Sequence, residues 1–442
     1  MNFKYRKISP ESFFIISILL FGILSSFLTL PLSNGDEGYH LGRAYTMFSK
    51  NNPQSMKVET LRTIEIKNTQ ADQTNNNFNL NYFYSHKLTD IKNDTLKLNF
   101  QHDSNVTAKI DIGHLPAAIG ILVARYTYPS YGVMMIFSRL ANLLFFSICL
   151  YFIIKYSTTG KWSLVMLFSV PFLQKIASPS YDVFAYVAVA AFATNILRLA
   201  KLTKFSNLSM RQCLYTIFTI ILIFLSKNNY IFILPILFFL PLITNPIRQL
   251  YSSQNRIRKT VFGLILIILV AAFIILLDYK LDMLNFSKQF FNSYINTASM
   301  GRRANSLTSV VSTILPNFLN IFWLLCLFFV MLTEEGYNWS KPFVLGNILI
   351  FFLNWIGIYA GFYVISGNPT HPFDELSGRY LHPFIICFLP FTQLINAKYQ
   401  LTVPPKTIKF VVITATILVM IAYLIICYYR GFVIHTTPTW KT

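Results

Sequence analysis

The sequence predicts an all-α polytopic membrane protein with about eleven transmembrane helices, and three observations lead to this fold class. Hydrophobic residues make up 54% of the 442 residues and charged residues only 12%, which is more apolar than a soluble chain of this length. Apolar runs long enough to cross a bilayer recur along the chain. Basic residues concentrate in alternate connecting segments, as the positive-inside rule describes.

The apolar runs give the spans directly, except for one ambiguous pair. Residues 213–226 and 230–244 could form one long helix or two short ones. The segments on either side, 198–211 and 245–259, are both basic, and two crossings leave both of them in the cytoplasm. We therefore count two spans there. The eleven runs lie near residues 12–32, 131–154, 162–178, 183–197, 213–226, 230–244, 260–277, 311–333, 342–366, 380–396 and 408–429.

The first run predicts a retained signal anchor. Lys4, Arg6 and Lys7 precede an uncharged stretch that is longer than the apolar core of a cleaved signal peptide. The N-terminus is then cytoplasmic, the C-terminal tail is outside, and the protein is expected in the plasma membrane of a bacterium. Much of the net charge of +20 becomes an insertion signal, so the bilayer is an expected partner and nucleic acid is not.

The first loop is the one sizeable hydrophilic segment. Within it, "TLRTIEIKN" and "TLKLNFQ" alternate polar and apolar residues in the manner of strands. We expect a small α/β extracytoplasmic cap in which amphipathic helices accompany short strands. The predicted parts are the first transmembrane helix (1–32), the first loop with its cap (33–130), transmembrane helices 2–7 (131–278), a second outer loop (279–310), transmembrane helices 8–11 (311–429) and a tail (430–442).

The stretch "PLSNGDEGYHLGRAY" places two carboxylates directly after the first span. If a helix begins at Asn34 or Asp36, then Asp36, His40 and Arg43 share one face of it. One interpretation is structural, because carboxylates at a helix start cap it and complement its dipole. The other is chemical: a carboxylate at the membrane surface can act as a general base or bind a divalent cation.

Further ionisable residues fall at the outer ends of the predicted spans, where they are costly unless paired, hydrated or functional. Each has an ordinary alternative: Asp182 in "ASPSYD" as a helix cap, Lys227 in "LSKNNY" as a snorkelling side chain, and Arg379 with Tyr380 in "LSGRYLHP" as an interfacial anchor. Arg302 in the second outer loop is solvated or binds an anion. The other members of this set are Arg125, Arg139, Lys175 and His382.

Six segments together resemble a bacterial family of polytopic membrane proteins of unknown function. They occur in this order between about residues 12 and 396: "DEGYHLGRAYTM", "GHLPAAIGILVAR", "SRLANLLF", "SVPFLQKIASPSYD", "SKNNYIFILPI" and "SGRYLHPF". That family is similar to the C-type glycosyltransferases, the architecture shared by protein mannosyltransferases and the catalytic subunits of oligosaccharyltransferase.

The resemblance implies a GT-C-like fold and an inverting transferase. Its donor would be a polyprenyl-phosphate-linked sugar and its acceptor a cell-envelope glycan, lipid or protein at the extracytoplasmic face. An acidic residue or pair lies in the first outer loop of such enzymes, and Asp36 and Glu37 match that position. We assign these two as catalytic, with Asp36 as base or, together with Asp182, as ligand of Mg²⁺ or Mn²⁺. The expected donor-phosphate residues are Arg43, Lys227, Arg379 and Arg302, and the supporting residues are His40, Asp182 and Tyr380.

Three other functions compete with this one. A glycolipid or polysaccharide transporter or flippase predicts charges near mid-bilayer and an internal repeat of interrupted helices. A polymerase of lipid-linked repeat units shares most of the expected chemistry. A membrane scaffold whose cap binds a cell-wall partner leaves the one-sided charges unexplained.

Overall fold

The computed structural model describes residues 8–33, 36–70, 80–98, 112–254, 260–261, 264, 278, 281–294, 315–367 and 380–434. In these ranges the chain is helical, and no strand occurs. The α-helices are α1 (Pro10–Leu28), α2 (Glu37–Thr46), α3 (Val58–Gln70), α4 (Leu80–Ser85), α5 (Leu115–Thr127), α6 (Tyr131–Tyr156), α7 (Lys161–Leu167), α8 (Leu173–Ile176), α9 (Asp182–Leu199), α10 (Met210–Leu225), α11 (Pro241–Ser252), α12 (Met283–Tyr294), α13 (Asn317–Thr333), α14 (Lys341–Ile365), α15 (Leu389–Tyr399) and α16 (Pro405–Tyr428). Two longer 3-10 segments, Asn228–Phe239 and His382–Phe388, complete the core.

Several helices are long and apolar enough to cross a bilayer. In the described ranges these are α1, α6, α9, α14 and Pro405–Val433, five in all. The pair formed by Asn228–Phe239 and α11 makes a sixth if its 52° bend is counted within one span. Helices α10 and α13 are apolar but shorter.

The prediction of eleven continuous spans is therefore not confirmed, and proline accounts for two of the differences. Residues 162–178 divide into α7, a turn at Val170–Phe172 and α8, and Pro171 stands where the chain turns. Residues 380–396 divide in the same way, with Pro383 and Pro390 opening two successive pieces. Proline lacks the N–H donor that a continuous helix needs. Most of the predicted span 260–277 lies outside the described residues.

The prediction of strands in the first loop is wrong for "TLRTIEIKN", which lies in α3. The apolar residues of this segment also fit a helical face, because Leu61 and Ile64 are three positions apart and pack in one cluster. Ile66, which the strand pattern would have buried, is 49% exposed. Packing of one helical face thus overrides the alternation of β-branched residues. The described part of "TLKLNFQ" forms no strand either.

Segments predicted to be cytoplasmic meet at one end of the helices, which we call the Glu334 end. Glu334 accepts hydrogen bonds from the backbone N–H groups of Trp162 and Ser163, at 2.7 and 2.8 Å, and so caps α7. Arg198 donates to the carbonyl of Tyr156 at 2.6 Å, and Lys201 donates to that of Thr158 at 3.1 Å. The connecting segments near residues 158, 200 and 335 are thereby brought together. Gln393 of α15 joins them by donating hydrogen bonds to Oγ1 of Thr159 at 2.6 Å and to Oε1 of Glu335 at 3.2 Å.

Helix α9 begins at Asp182, at the opposite end of the helices from Glu334. We call this the Lys227 end. Helix α9 has 18 residues, so its two ends are about 27 Å apart. Helix α2 packs against both α3 and α5. His40 of α2 and His114, which directly precedes α5, reach the turn before α9. Among the described residues, His40, Asp182 and Lys227 therefore lie at one end, and the basic connecting segments lie at the opposite one.

Helices α2 and α3 approach closely at Gly38. A Cβ atom there would lie 2.7 Å from the carbonyl oxygen of Leu61 and 2.9 Å from Oε2 of Glu65. Backbone cannot give way as a flexible side chain can, so only glycine fits.

Gly38→Ala should lower the free energy of unfolding by about 1–3 kcal/mol, because the added methyl forces α2 away from α3. Gly361→Ala is the matched control, since a Cβ at Gly361 meets no atom within 4 Å and alanine favours the helix. Unfolding of both purified variants in the same detergent measures the difference. Equal stability of the two variants would show that the α2–α3 contact is not tight.

Candidate functional site

Arg139 fixes the start of the first loop. Its guanidinium is fully buried and donates to both carboxylate oxygens of Glu37, at 2.8 and 3.0 Å. It also donates to the carbonyls of Ser26, Thr29 and Leu30, which lie at and just beyond the C-terminus of α1. Such carbonyls have no partner within their own helix. One side chain of α6 therefore ties the end of α1 to the first residue of α2.

Glu65 of α3 caps the N-terminus of α2. Its two carboxylate oxygens accept the backbone N–H groups of Glu37 and Gly38, at 3.2 and 3.0 Å. Burial raises the pKa of Glu65 to about 7; the hydrogen bond from Gly38 opposes this rise, and the charges of Glu37 and Asp36 add to it. The capping role that the sequence gave to Asp36 thus belongs to a residue of the next helix.

Asp36 precedes α2 in a left-handed conformation, with φ of +72°, and makes no side-chain cap. Aspartate is one of the few residues other than glycine that tolerate this region. Its side chain is exposed and lies beside Glu65. Asp36 is the accessible carboxylate of the "DE" pair, since Glu37 is 1% exposed and is held by Arg139.

A histidine pair lies one turn further along α2. Nδ1 of His40 and Nε2 of His114 are 3.0 Å apart, so one ring donates a hydrogen bond and the other accepts it. Nε2 of His40 lies 3.4 Å from Oγ of Ser180. Burial lowers the pKa of His40 well below its usual range, and the charges of His114, Lys175 and Lys227 lower it further, against that of Asp182. His40 is therefore a neutral imidazole at neutral pH.

The turn before α9 joins this histidine pair to a buried ion pair. The Tyr181 ring lies 5.1 Å from that of His40 and 5.3 Å from that of His114, between ring centroids. The next residue, Asp182, forms an ion pair with Lys227. Lys227 is only 7% exposed and directly precedes the 3-10 segment Asn228–Phe239.

Aromatic rings surround the Lys227 ammonium. It lies 4.2 Å from the centroid of the Tyr380 ring, 4.9 Å from that of Tyr181 and 6.0 Å from that of Tyr230. A cation over the face of a tyrosine is attracted by the ring quadrupole, most strongly where water is excluded. The Tyr230 hydroxyl is fully buried and has no hydrogen-bond partner among the described residues.

These residues form one polar group inside an apolar protein, which we call the Lys227 cluster. It contains two lysines, one aspartate, two histidines and three tyrosines. Lys175, on α8, is 3% exposed and acts on His40 through its charge. The members of the Lys227 cluster are His40, His114, Lys175, Tyr181, Asp182, Lys227, Tyr230 and Tyr380.

Four predicted site residues meet in the Lys227 cluster, namely His40, Asp182, Lys227 and Tyr380. Lys227 is paired with Asp182 inside the protein and does not extend towards water, in contrast to the snorkelling interpretation. Arg43 is half-buried in the last turn of α2. Arg302 and Arg379 lie outside the described residues.

The predicted metal ligands Asp36 and Asp182 have different neighbours, Glu65 for the first and Lys227 for the second. Among the described residues, no group of three or more His, Cys, Asp or Glu side chains is arranged to hold a metal ion. A divalent cation stays a prediction, and no chemical step below depends on it.

The sequence indicated most of the polar residues of the site, but it did not indicate which residues they contact. Arg139 was among the ionisable residues that the sequence places at the outer ends of the predicted spans, but one sequence does not reveal that it pairs with Glu37. His114 stands in "GHLP", directly before a helix that opens with proline, and this position could have marked it as an end-of-helix residue near the site. Nothing in the sequence indicated that Glu65 caps α2, because the segment that contains Glu65 was predicted to be a strand.

The Arg139 pair gives the first test of the site. Arg139→Met should cost about 3–5 kcal/mol of unfolding free energy, because it removes the cation that pairs with the buried Glu37 carboxylate. The double variant Glu37→Leu with Arg139→Met should cost clearly less than the sum of the two single changes. Arg198→Met, which removes one carbonyl contact at the Glu334 end, is the control and should cost less. Strict additivity would show that the pair is not coupled.

The Glu65 pKa gives a second test. A carboxyl group whose pKa is higher in the folded than in the unfolded state stabilises the protein most at low pH, and this contribution is lost as pH rises towards 7. The melting temperature of the wild type should therefore carry a falling component between about pH 4.5 and 7. Glu65→Gln should remove that component, while Glu59→Gln, an exposed change on the same helix, should keep it. Identical pH profiles for the wild type and Glu65→Gln would contradict the assignment.

Residues 19–388 match the model of a family described as predicted membrane protein, DUF2142. No curated protein and no solved structure matches the chain. The matched range includes α2, the histidine pair, the Asp182–Lys227 ion pair and Tyr380. The chain therefore belongs to DUF2142, a family of membrane proteins whose function is unknown.

Proposed function

We propose that this protein is a membrane glycosyltransferase that takes a sugar from a polyprenyl-phosphate donor and passes it to a cell-envelope glycan, lipid or protein. The observation that supports this most is the Lys227 cluster, which holds the buried ammonium groups of Lys227 and Lys175 at one end of apolar helices. Ionisable groups inside a membrane protein are costly, and they commonly mark a substrate or ion site.

The cluster fits a phosphate better than it fits a neutral ligand. A phosphate that reaches Lys227 competes with Asp182 for the ammonium, and the buried hydroxyl of Tyr230 is a donor without a partner among the described residues. Charge-assisted hydrogen bonds of this kind are the strong ones. When the sugar leaves, the phosphate carries more negative charge, and Lys227 with Lys175 stabilises it there.

The proton of the acceptor needs a base in this scheme. The acceptor hydroxyl loses its proton as its oxygen attacks the anomeric carbon, and the bond from that carbon to the phosphate oxygen breaks. Asp36 is our proposed base because it is an exposed carboxylate at the start of α2. His40 is the second candidate, since its lowered pKa keeps the imidazole neutral and able to accept a proton.

The finer parts of the fold also belong to this proposal. We propose that the broken segments 161–176 and 382–399 complete crossings of the bilayer and that the whole has the eleven crossings of a GT-C-like protein. In this arrangement the N-terminus and the Glu334 end are cytoplasmic, and the Lys227 end faces outwards. The basic residues near the Glu334 end, such as Arg198 and Lys201, favour this orientation.

Transport of a glycolipid is the second candidate, because one observation favours it. The Asn228–Phe239 segment and α11 are bent by 52°, and the chain breaks again at Val170–Phe172. Discontinuous helices are typical of secondary transporters, where they line the substrate site. The two functions differ in what accumulates when the protein fails.

Cells that carry the wild type, a deletion, Lys227→Met or Asp36→Asn distinguish these functions. We expect Lys227→Met to lose one sugar from a surface glycan, with a decrease of at least tenfold, while the polyprenyl-phosphate donor accumulates. Lys398→Met is the control, because that lysine lies over a tyrosine ring at the other end of the molecule. Glycans and lipid-linked sugars are measured by mass spectrometry at equal membrane levels of each protein.

Two outcomes would count against the transferase. A complete glycan in Lys227→Met cells would separate the Lys227 cluster from sugar transfer. Accumulation of a finished lipid-linked glycan on the cytoplasmic side, with no missing sugar, would favour transport. Loss of sugar in Lys227→Met but not in Asp36→Asn would keep the transferase and move the base to His40.

A further inference from the structure

Helix α5 has one buried face and one exposed face, and both are apolar. Ala117, Gly120, Ile121 and Ala124 form the buried face. The exposed residues follow the spacing i, i+4, i+8 and i+11, so they lie along one stripe on the opposite side of the helix. Their exposed fractions lie between 36% and 72%. These residues, which we call the α5 stripe, are Leu115, Ile119, Val123 and Tyr126.

The charged residue of α5 is turned away from the stripe. Arg125 donates to the carbonyl of Phe48 at 2.8 Å and to the carboxylate of Asp94 at 3.1 Å, and its side chain is almost fully buried. The exposed face of α3, in the same loop, instead carries charged residues such as Glu59 and Arg62. The apolar stripe is therefore a property of α5 and not of the loop as a whole.

Helix α5 runs back along the first half of α6. Residues 128–130 connect the two helices and reverse the chain. A Cβ atom at Gly120 would collide with the carbonyl oxygen of Phe137 and would lie 2.9 Å from Cβ of Ala141, so the two backbones are in contact. Gly120 lies seven residues before the end of α5, and Phe137 lies six residues after the start of α6. The two helices are therefore antiparallel and side by side.

The α5 stripe continues the exposed apolar surface of α6, a helix long enough to cross a bilayer. Phe137 and Ala141, against which α5 packs, share one face of α6 with Leu144, Ile148 and Phe152. The last three are 42–53% exposed. Helix α5 thus covers one half of a face whose other half is exposed and apolar. Because the stripe points away from α6, it extends the same surface.

We propose that the α5 stripe lies against the hydrocarbon of the bilayer leaflet on the Lys227 side, so that α5 enters the membrane without crossing it. The 13 residues of α5 make a helix of about 20 Å, and one leaflet contributes about 15 Å of hydrocarbon. Tyr126 is then at the headgroup level, where aromatic rings are favoured. The ammonium of Lys87, 4.7 Å from the centroid of the Tyr128 ring, fits the same level. This inference does not rest on the proposed function.

The inference also sets the depth of the Lys227 cluster. His114 directly precedes α5, at the end of the helix that is farther from Tyr126. Its ring centroid is 5.3 Å from that of Tyr181, so the cluster lies at the same level as this end of α5. The cluster is then about 20 Å below the far end of α5. A ligand that binds the cluster has to pass the headgroup level first.

Fluorescence quenching in liposomes measures where the stripe lies. The full-length protein carries one fluorescent residue, acridonylalanine, at a chosen position, and the liposomes are made of phosphatidylcholine. Nitroxide lipids quench from the headgroup, from the top of the acyl chain or from its end, and iodide quenches from the water. A probe at Leu144 of α6 is the reference for lipid, and a probe at Ile66 of α3, which is as exposed as Ile119, is the reference for water.

We expect a probe at Ile119 to match the Leu144 probe within twofold in quenching by the chain nitroxides. It should be at least fivefold less sensitive to iodide than the Ile66 probe. A probe at Tyr126 should respond most to the headgroup nitroxide, because this residue lies about 10 Å further along the helix.

Three results would overturn the inference. Iodide quenching at Ile119 equal to that at Ile66 would place the stripe in water. Protection of the Ile119 probe from both kinds of quencher would show that protein covers the stripe, either another segment of the chain or a second copy. Equal depth at Ile119 and Tyr126 would lay α5 flat on the membrane surface. None of these results depends on sugar transfer, so the inference and the proposed function can fail separately.

Discussion

The structure depends on one buried guanidinium. Arg139, in the apolar helix α6, joins the carbonyls at the end of α1 to the carboxylate of Glu37. Because Glu37 begins α2, this contact fixes where the first loop leaves the first span. Glu65 then holds the N-terminus of α2 from the other side. The position of His40 over the turn before α9 follows from these two contacts.

With α2 in place, polar groups from five distant parts of the chain meet in a small volume. His40 comes from α2, His114 from the start of α5, Asp182 from the start of α9, and Lys227 and Tyr380 from the residues before the two 3-10 segments. Each element either begins at the cluster or passes it, so the polar side chains lie at helix ends and the apolar ones follow inwards.

The sequence could predict the kind of protein, and it singled out half of the residues that meet in the Lys227 cluster. Apolar length and basic segments identify a helical membrane protein because these are local properties of the chain. His40, Asp182, Lys227 and Tyr380 were found because ionisable and interfacial residues are rare in such a composition. The contacts between these residues were not predictable. Glu37 pairs with Arg139, and Glu65 binds the N-terminus of α2, and in both cases the two partners are far apart in the sequence. Helix α3 was missed because its packing on α2, and not its local propensity, selects the helical conformation. The broken spans were missed because a hydropathy pattern does not show where proline interrupts a helix.

The central proposal is that the Lys227 cluster binds the phosphate of a polyprenyl-phosphate donor. Its most direct test is to purify the wild type and Lys227→Met from native membranes in nanodiscs and to identify the tightly held lipids by native mass spectrometry. The account predicts that a polyprenyl phosphate, with or without its sugar, is enriched on the wild type and is at least tenfold depleted on the variant, while bulk phospholipids are unchanged. The same lipids in the same amounts on both proteins would contradict it.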